Sequence, residues 1–348
     1  MSLYEKILDR DVTFIAEMSA NHGGSLERAL TLVHAAKTAG ADCFKTQTYT
    51  ADTMTLDSTG EDFSIRGGLW DGYTLHRLYA EAAMPWEWNG IIKDECDRLG
   101  LDFLSTAFDE ASVDYLDGLN VECHKVASFE LVDIPLIDYM AAKGKPVILS
   151  CGLGSAGDIQ RAVDACRCRG NERIILLKCC SEYPAQYEDM NVATIADMRA
   201  RFGCVTGLSD HSPGSLAPVT AALFGAKVIE KHLCLSRQDK TPDAAFSLEP
   251  HEYGQMVADV KNALRIAGRA TYELSERERQ QTRFRRSVYA VRDIHPGERF
   301  SRENCRVIRP GCGLPPKDFT ALLGKAARRF IGRGEPVTAA DLEEGGGS

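Results

Sequence analysis

In this 348-residue chain, groups able to do chemistry recur at one kind of place, the C-terminal ends of short apolar runs. Glu17 closes TFIAE, Lys45 and Gln47 close CFKTQ, and Ser105 and Thr106 end the run begun by DFL. Lys125, Ser128 and Glu130 follow at the fourth run, Ser150 ends PVILS, and Lys178 and Ser181 follow RIILL. Ser209, Asp210 and His211 end VTGLS, and Glu230 and His232 end KVIEKH. Ammonium groups pair with phosphate or carboxylate while Ser and Thr donate to the remaining oxygens, so convergence of these groups suits a phosphorylated or carboxylated ligand. His211 and His232 are too far apart for a one-helix metal motif but suit the tips of consecutive parallel strands, which lie roughly 4.8 Å apart. They read either as ligands of a divalent ion or as a pair of hydrogen-bonding barrel histidines. Two imidazoles would leave coordination positions to water and substrate, which favours Mn²⁺, Mg²⁺ or Co²⁺ over a closed structural zinc. Glu17 and Glu130 are the candidates for proton transfer or hydroxyl binding, and Asp210 and Asp243 for orienting a histidine or a bound water.

Groups so distant in sequence meet only if the runs become neighbouring strands. The runs are 13–17, 43–47, 102–105, 123–127, 146–150, 173–178, 205–209 and 227–232, and helical segments such as 26–39, 86–99, 135–143, 156–169, 195–202 and 215–224 separate them. Eight such units predict a (β/α)8 TIM barrel, an α/β fold whose chemistry sits at the C-terminal mouth. A doubly wound open sheet is the runner-up, weakened because no G-x-G-x-x-G follows the first strand. The expected division is a catalytic barrel over 1–272, a charged linker or connecting helix over 273–286 (ELSERERQQTRFRR), and a small β-rich module over 287–348 with the closing GGGS as a tail. The long crossing at 48–71 reads as a lid or selectivity loop, with Trp70, Trp86 and Trp88 as staples holding it to the barrel.

The chain carries 41 basic against 50 acidic side chains and no long Lys/Arg run, so nucleic acid is not an expected partner. No stretch approaches the roughly 18 apolar residues of a membrane span, and MSLYEKILDR lacks a signal-peptide apolar region; the expected location is the cytoplasm. The twelve Cys lack a paired zinc-type framework and read as reduced, small hydrophobes.

The motifs FIAEMSANHGGSLERAL, FKTQTYTADTMT, FLSTAFDEASVDYL, HKVASFELVDIPLI, GKPVILSCGL, LLKCCSEYPA, TGLSDHS and VIEKHLCL resemble, in order, the sialic acid synthase family. RRSVYAVRDIHPGERF with VIRPGCGLPP resembles that family's C-terminal antifreeze-like (SAF) domain. The resemblance spans nearly the whole chain. It implies condensation of phosphoenolpyruvate with an acylated amino sugar: carbon 3 attacks the sugar aldehyde, water adds at carbon 2, and phosphate leaves by C–O cleavage. It makes Lys45, Thr106, Lys125, Ser128, Ser150, Ser181 and Ser209 the phosphoenolpyruvate cradle. His211 and His232 become ligands of a divalent ion that activates the aldehyde. Glu17 and Glu130 would face the sugar and the reacting carbons, with Gln47, Tyr183 and Asp243 as polar partners. Arg309 would reach into a neighbouring subunit's barrel, which implies a homodimer. QTYTADTMT and GGLWDGYTLHRLYAEAAMPWEW resemble the branch that takes 2,4-diacetamido-2,4,6-trideoxy-L-altrose, rather than the N-acetylneuraminate or legionaminate branches. Ser181 stands where the neuraminate branch has Asn, and Cys151 where Thr is usual; both bear on contact detail. Competing readings are a metal-dependent aldolase taking pyruvate and a catalytically silent glycan-binding scaffold.

Overall fold

The computed structural model describes residues 1–68 and 70–343; the expected GGGS tail lies outside them. Eight parallel strands form a ring: β1 (Thr13–Glu17), β2 (Cys43–Thr48), β3 (Asp102–Ala107), β4 (His124–Val126), β5 (Val147–Ser150), β6 (Ile174–Cys179), β7 (Val205–Asp210) and β8 (Val228–His232). β8 pairs with β1, aligning His232 with Glu17, and this closes the barrel and excludes the open sheet. The chain divides into two compact units after Gly268, a few residues before the boundary expected from sequence.

Side chains alternate between the two faces of a strand, so each strand sends one set outward and one inward. Outward-facing Phe14, Ala16, Phe44, Val126, Leu149, Leu176 and Ile229 pack in the large core beneath the surrounding helices. The inward set changes character along the barrel axis. Ile15, Cys43, Leu104, Cys123, Ile148, Leu177 and Val228 form a dry layer inside the barrel. Two residues further along the same strands stand Glu17, Lys45, Thr106, Lys125, Ser150, Cys179 and Glu230, all buried. One step of the period-two repeat therefore separates apolar filler from chemistry. Gly207 makes room at this level of β7, where a Cβ would lie 2.4 Å from the Val228 carbonyl oxygen and 2.8 Å from Leu177.

The N-terminal segment, unassigned from sequence, forms a helix over Leu3–Asp9 that plugs the dry end. Ser2 and Glu5 make its capping box. Leu3 and Ile7 are fully buried in the same cluster as the inward apolar layer. Lys6 pairs with Asp102 at 2.5 Å, and the Leu3 amide donates to Glu122.

The second unit has its own core, including Val288, Ile294, Phe300, Leu322, Ile331 and Val337. β9 (Ser287–Ala290) pairs antiparallel with β10 (Cys305–Ile308), and isolated bridges such as Ile294–Ile331 complete its β character. The charged 273–286 stretch contains a short exposed helix, Glu276–Gln281, capped by Ser275 and Glu278. All twelve cysteines are free and nine are buried, consistent with their reading as small hydrophobes. Among the described residues no helix is long and apolar enough to cross a membrane.

If the plug completes the barrel core, Ile7→Ala should destabilise the barrel by about 2–5 kcal/mol through the cavity it opens. Neighbouring Leu8→Ala, at a half-exposed position, should stay within about 0.5 kcal/mol. Urea unfolding followed by far-UV dichroism reads both.

Candidate active site

A cavity of about 430 Å³ opens at the C-terminal mouth of the barrel. Its polar floor is a network of buried charges. Lys45 Nζ donates to Thr106 Oγ1 at 3.1 Å, pairs with Glu17, and lies 3.6 Å from Glu230. Lys125 Nζ donates to Ser150 Oγ at 2.8 Å and to the Val126 carbonyl at 2.9 Å, and lies 4.0 Å from Glu230. Ser209 Oγ donates to Glu230 Oε1 at 3.1 Å.

Desolvation opposes every one of these charges, and their neighbours decide how far it succeeds. Burial works against Lys45, but Glu17 and Glu230 outweigh it and hold the ammonium above its ordinary pKa. Lys125, fully buried, is pulled below its ordinary value despite Glu230. Burial would raise Glu230, yet Lys125 and Lys45 bring it below the usual carboxylate value. Glu17 is driven up to about 7 by burial, against the attraction of Lys45. Two ammonium groups over one firmly ionised carboxylate give an electropositive floor inside an acidic chain.

His211 and His232 stand side by side with ring centroids 5.2 Å apart, under Tyr183 and Phe246. His211 Nδ1 lies 2.9 Å from the Cys180 carbonyl, so it carries the proton and donates there, leaving Nε2 free. His232 Nδ1 is buried without a hydrogen-bond partner, and burial next to His211 keeps the ring neutral by pushing its pKa well down. Two adjacent imidazoles, each with a ring nitrogen free of protein partners, fit an open, exchangeable divalent-ion site. Among the described residues no third His, Cys, Asp or Glu joins them, so the donor set does not suit a closed zinc site.

Of the residues predicted from sequence, Lys45, Gln47, Thr106, Lys125, Ser128, Glu130, Ser150, Tyr183, Ser209, His211, His232 and Asp243 all line this one cavity. Three do not. The Glu17 carboxylate is engaged by Lys45 and by Gln47 Nε2 at 3.0 Å and lies outside the lining. Ser181 lies 3.7 Å from Cys179 Sγ and, with Ser128, crowds Gly152: a Cβ there would meet their hydroxyls at 2.2 and 2.7 Å. Arg309 is exposed in the C-terminal unit, outside the lining. Asp210 does not orient a histidine. Its side chain turns outward to Lys231 at 2.5 Å and accepts from the Ser212 amide at 2.9 Å.

Glu230 was assigned no role from sequence, although it shares the inward parity of His232 two residues on. Ser19, Tyr49, Tyr79 and Phe246 also line the cavity; Ser19 and Tyr49 follow β1 and β2 within two residues, whereas Tyr79 and Phe246 lie away from strand ends. Trp86 acts as a staple of the 48–71 crossing through its Nε1 bond to the Tyr49 carbonyl, whereas Trp88 makes an edge contact with His22, outside that crossing. Trp70 differs, since it lines the cavity and stands 6.0 Å from Tyr183.

A closed parallel barrel with a cationic floor and a histidine pair at its C-terminal mouth defines a barrel enzyme acting on an anionic small molecule. The chain belongs to the NeuB family, whose model matches residues 32–272, and a SAF domain matches residues 285–343. It is 41% identical over 335 residues to pseudaminic acid synthase of Campylobacter jejuni, covering 96% of this chain and 98% of that one. Identity falls to 32% over 334 residues, 94% of each chain, with N,N'-diacetyllegionaminic acid synthase of Legionella pneumophila. The crystal structure of the spore coat polysaccharide biosynthesis protein SpsE of Bacillus subtilis superposes with a TM-score of 0.65 at 31% identity, covering 97% of this chain and 96% of that one.

Glu130 lines the cavity with Oε2 buried and unpartnered. Burial pushes its pKa up to about 7, above the ordinary value of 4.5, more than Lys125 can offset. Its ionisation is therefore unfavourable to folding: no penalty exists below pH 4.5, the penalty grows between pH 4.5 and about 7, and it is complete above that. Glu130→Gln should raise unfolding stability by about 1–3 kcal/mol at pH 8 and leave it unchanged near pH 4.5, as read from urea midpoints. Turnover should fall in the same variant.

Proposed function

We propose that the chain is a pseudaminic acid synthase. It condenses phosphoenolpyruvate with 2,4-diacetamido-2,4,6-trideoxy-L-altrose and water, giving pseudaminic acid and phosphate. The observation that carries this reading is the juxtaposition, in one cavity, of two buried ammonium groups and four hydroxyls with a pair of adjacent imidazoles. The higher identity to a relative named pseudaminic acid synthase than to one named for legionaminic acid supports the choice of acceptor.

Lys45 and Lys125, with Thr106, Ser128, Ser150 and Ser209, hold the phosphate and carboxylate of phosphoenolpyruvate. Such positioning converts the condensation into a step within one complex and is worth several kcal/mol. His211 and His232 would hold a divalent ion, Mn²⁺, Mg²⁺ or Co²⁺, which supplies Lewis acidity toward the acceptor carbonyl. Carbon 3 of the enol attacks that carbonyl carbon, and positive character develops at carbon 2. The Glu130 carboxylate stabilises it and takes a proton from the adding water. Phosphate then leaves with its bridging oxygen as the C–O bond breaks. Gln47 and Asp243 hold acceptor hydroxyls; Asp243 is anchored by the Ala20 amide at 3.2 Å.

We infer a homodimer in which the SAF domain, through Arg309, serves the partner's barrel. Charge supports this: residues from 269 onward carry 16 Lys/Arg against 11 Asp/Glu, while the preceding barrel carries 25 against 39. Opposite net charges favour docking of the small unit on a barrel. The cytoplasm, where phosphoenolpyruvate is made, is the matching compartment.

A coupled phosphate assay separates the alternatives. Phosphate should appear with phosphoenolpyruvate and the altrose derivative, more slowly with N-acetylmannosamine or the legionaminate precursor, and not with pyruvate as donor. Consumption of free pyruvate would establish an aldolase, and binding without phosphate release a silent scaffold. Lys125→Ala should raise the KM for phosphoenolpyruvate by about tenfold to a hundredfold, the equivalent of losing a charged hydrogen bond. His211→Ala should reduce metal affinity and turnover together; an unchanged metal titration would defeat its assignment.

A further inference from the structure

The cavity has two chemically distinct halves. Its charged side chains are Lys45, Lys125, Glu130, Glu230 and Asp243 with the histidine pair, and none comes from residues 54–82. That segment supplies Met54, Ile65, Leu75 and Leu78, together with the rings of Trp70 and Tyr79. Trp70 Nε1 is buried with no hydrogen-bond partner among the described residues. A buried indole N–H ordinarily finds an acceptor.

This wall is held in place. Ile65 donates its amide to the Tyr73 carbonyl at 2.8 Å, and Ser64 bridges to Thr74, joining the two arms of the segment. Its far end is tied by His22, whose Nε2 donates to the Ala82 carbonyl at 3.2 Å while Nδ1 accepts from the Gly24 amide. Tyr49 packs edge-on against both Tyr79 and Phe108.

We propose that this wall is the specificity element of the site: Trp70 Nε1 donates to an acetamido carbonyl, and Met54, Ile65, Leu75 and Leu78 seat the acceptor's methyl groups. The proposal rests on the synthase reading and adds to it the residues that choose the sugar. An acetamido group is one carbonyl acceptor beside one methyl, which matches an orphan N–H beside aliphatic side chains. A 6-deoxy end adds another methyl. A hydroxymethyl end set against the same aliphatic surface would lose its water without gaining a partner. Discrimination of about tenfold to a hundredfold against hydroxylated acceptors follows.

The test uses the full-length protein with Ile65→Asn and the milder Trp70→Phe. In the wild type, saturation-transfer NMR with the altrose derivative should place the strongest signals on its acetamido and C6 methyl protons. Ile65→Asn should weaken those signals. It should also lower kcat/KM for this acceptor about tenfold, narrow its advantage over N-acetylmannosamine, and leave the KM for phosphoenolpyruvate unchanged. Trp70→Phe should lower kcat/KM for the acetamido sugar with an unchanged thermal midpoint. Saturation centred on ring protons, or acceptor ratios unchanged in both variants, would overturn the proposal. Wild-type preference for N-acetylmannosamine would overturn it together with the choice of acceptor, while leaving the phosphoenolpyruvate-dependent condensation itself intact. Methyl-centred saturation without phosphate release from any acceptor would sustain the seat and defeat the synthase reading.

Discussion

Lys45 and Lys125 are ammonium groups sunk in the barrel mouth with almost no access to water, and Glu230 lies within 4.0 Å of both. An unpaired buried charge is expensive enough to neutralise itself or unfold its surroundings. Glu230 relieves that cost for two lysines at once, leaving a positive excess for an anionic substrate to balance. The remainder of the floor follows from this constraint. Thr106, Ser150 and the Val126 carbonyl accept from the ammonium groups, Ser209 orients Glu230, and Glu17 supports Lys45 from behind.

Such a network needs a rigid frame, and the frame comes from the layer directly below it. The inward apolar residues and the plug formed by Leu3 and Ile7 keep water out of the barrel's other end. Gly207 gives the closely packed β7 and β8 the room that a side chain would remove. Packing at this density lets little move, so charge positions inherit the precision of the strands. Glu130 shows the other side of the same bargain. Its unpartnered carboxylate is unfavourable to the fold near neutral pH, a cost that marks it as a functional candidate at the cavity wall.

Two sources build one cavity: strand ends supply the charge, and the segment after β2 supplies the apolar wall. Strand ends repeat around the barrel and can hold a common donor in a fixed geometry. The wall belongs to a single connection, free to differ without disturbing the ring of charges. On the proposed reading, recognition of the phosphorylated donor and choice of the sugar rest on physically separate parts of the chain.

Much of this was legible in the residues themselves. Period-two patterning with polar strand ends marks eight strands and places Lys45, Lys125, Ser150, Ser209, His211 and His232 at one mouth, because a parallel barrel aligns all its strand ends. Sequence could not show that Glu17 turns to Lys45 and Gln47, that Asp210 is consumed by Lys231, or that Glu230 is shared by two lysines. Those outcomes depend on which charges become nearest neighbours around the ring and on how completely each is desolvated. The roles of the N-terminal helix and of Trp70 were hidden for a related reason: neither lies at a strand end, and only closure of the barrel creates the opening one fills and the wall the other joins. Strand order, parity and donor chemistry are thus local properties written in the chain. Partner choice among buried charges is a property of the assembled interior.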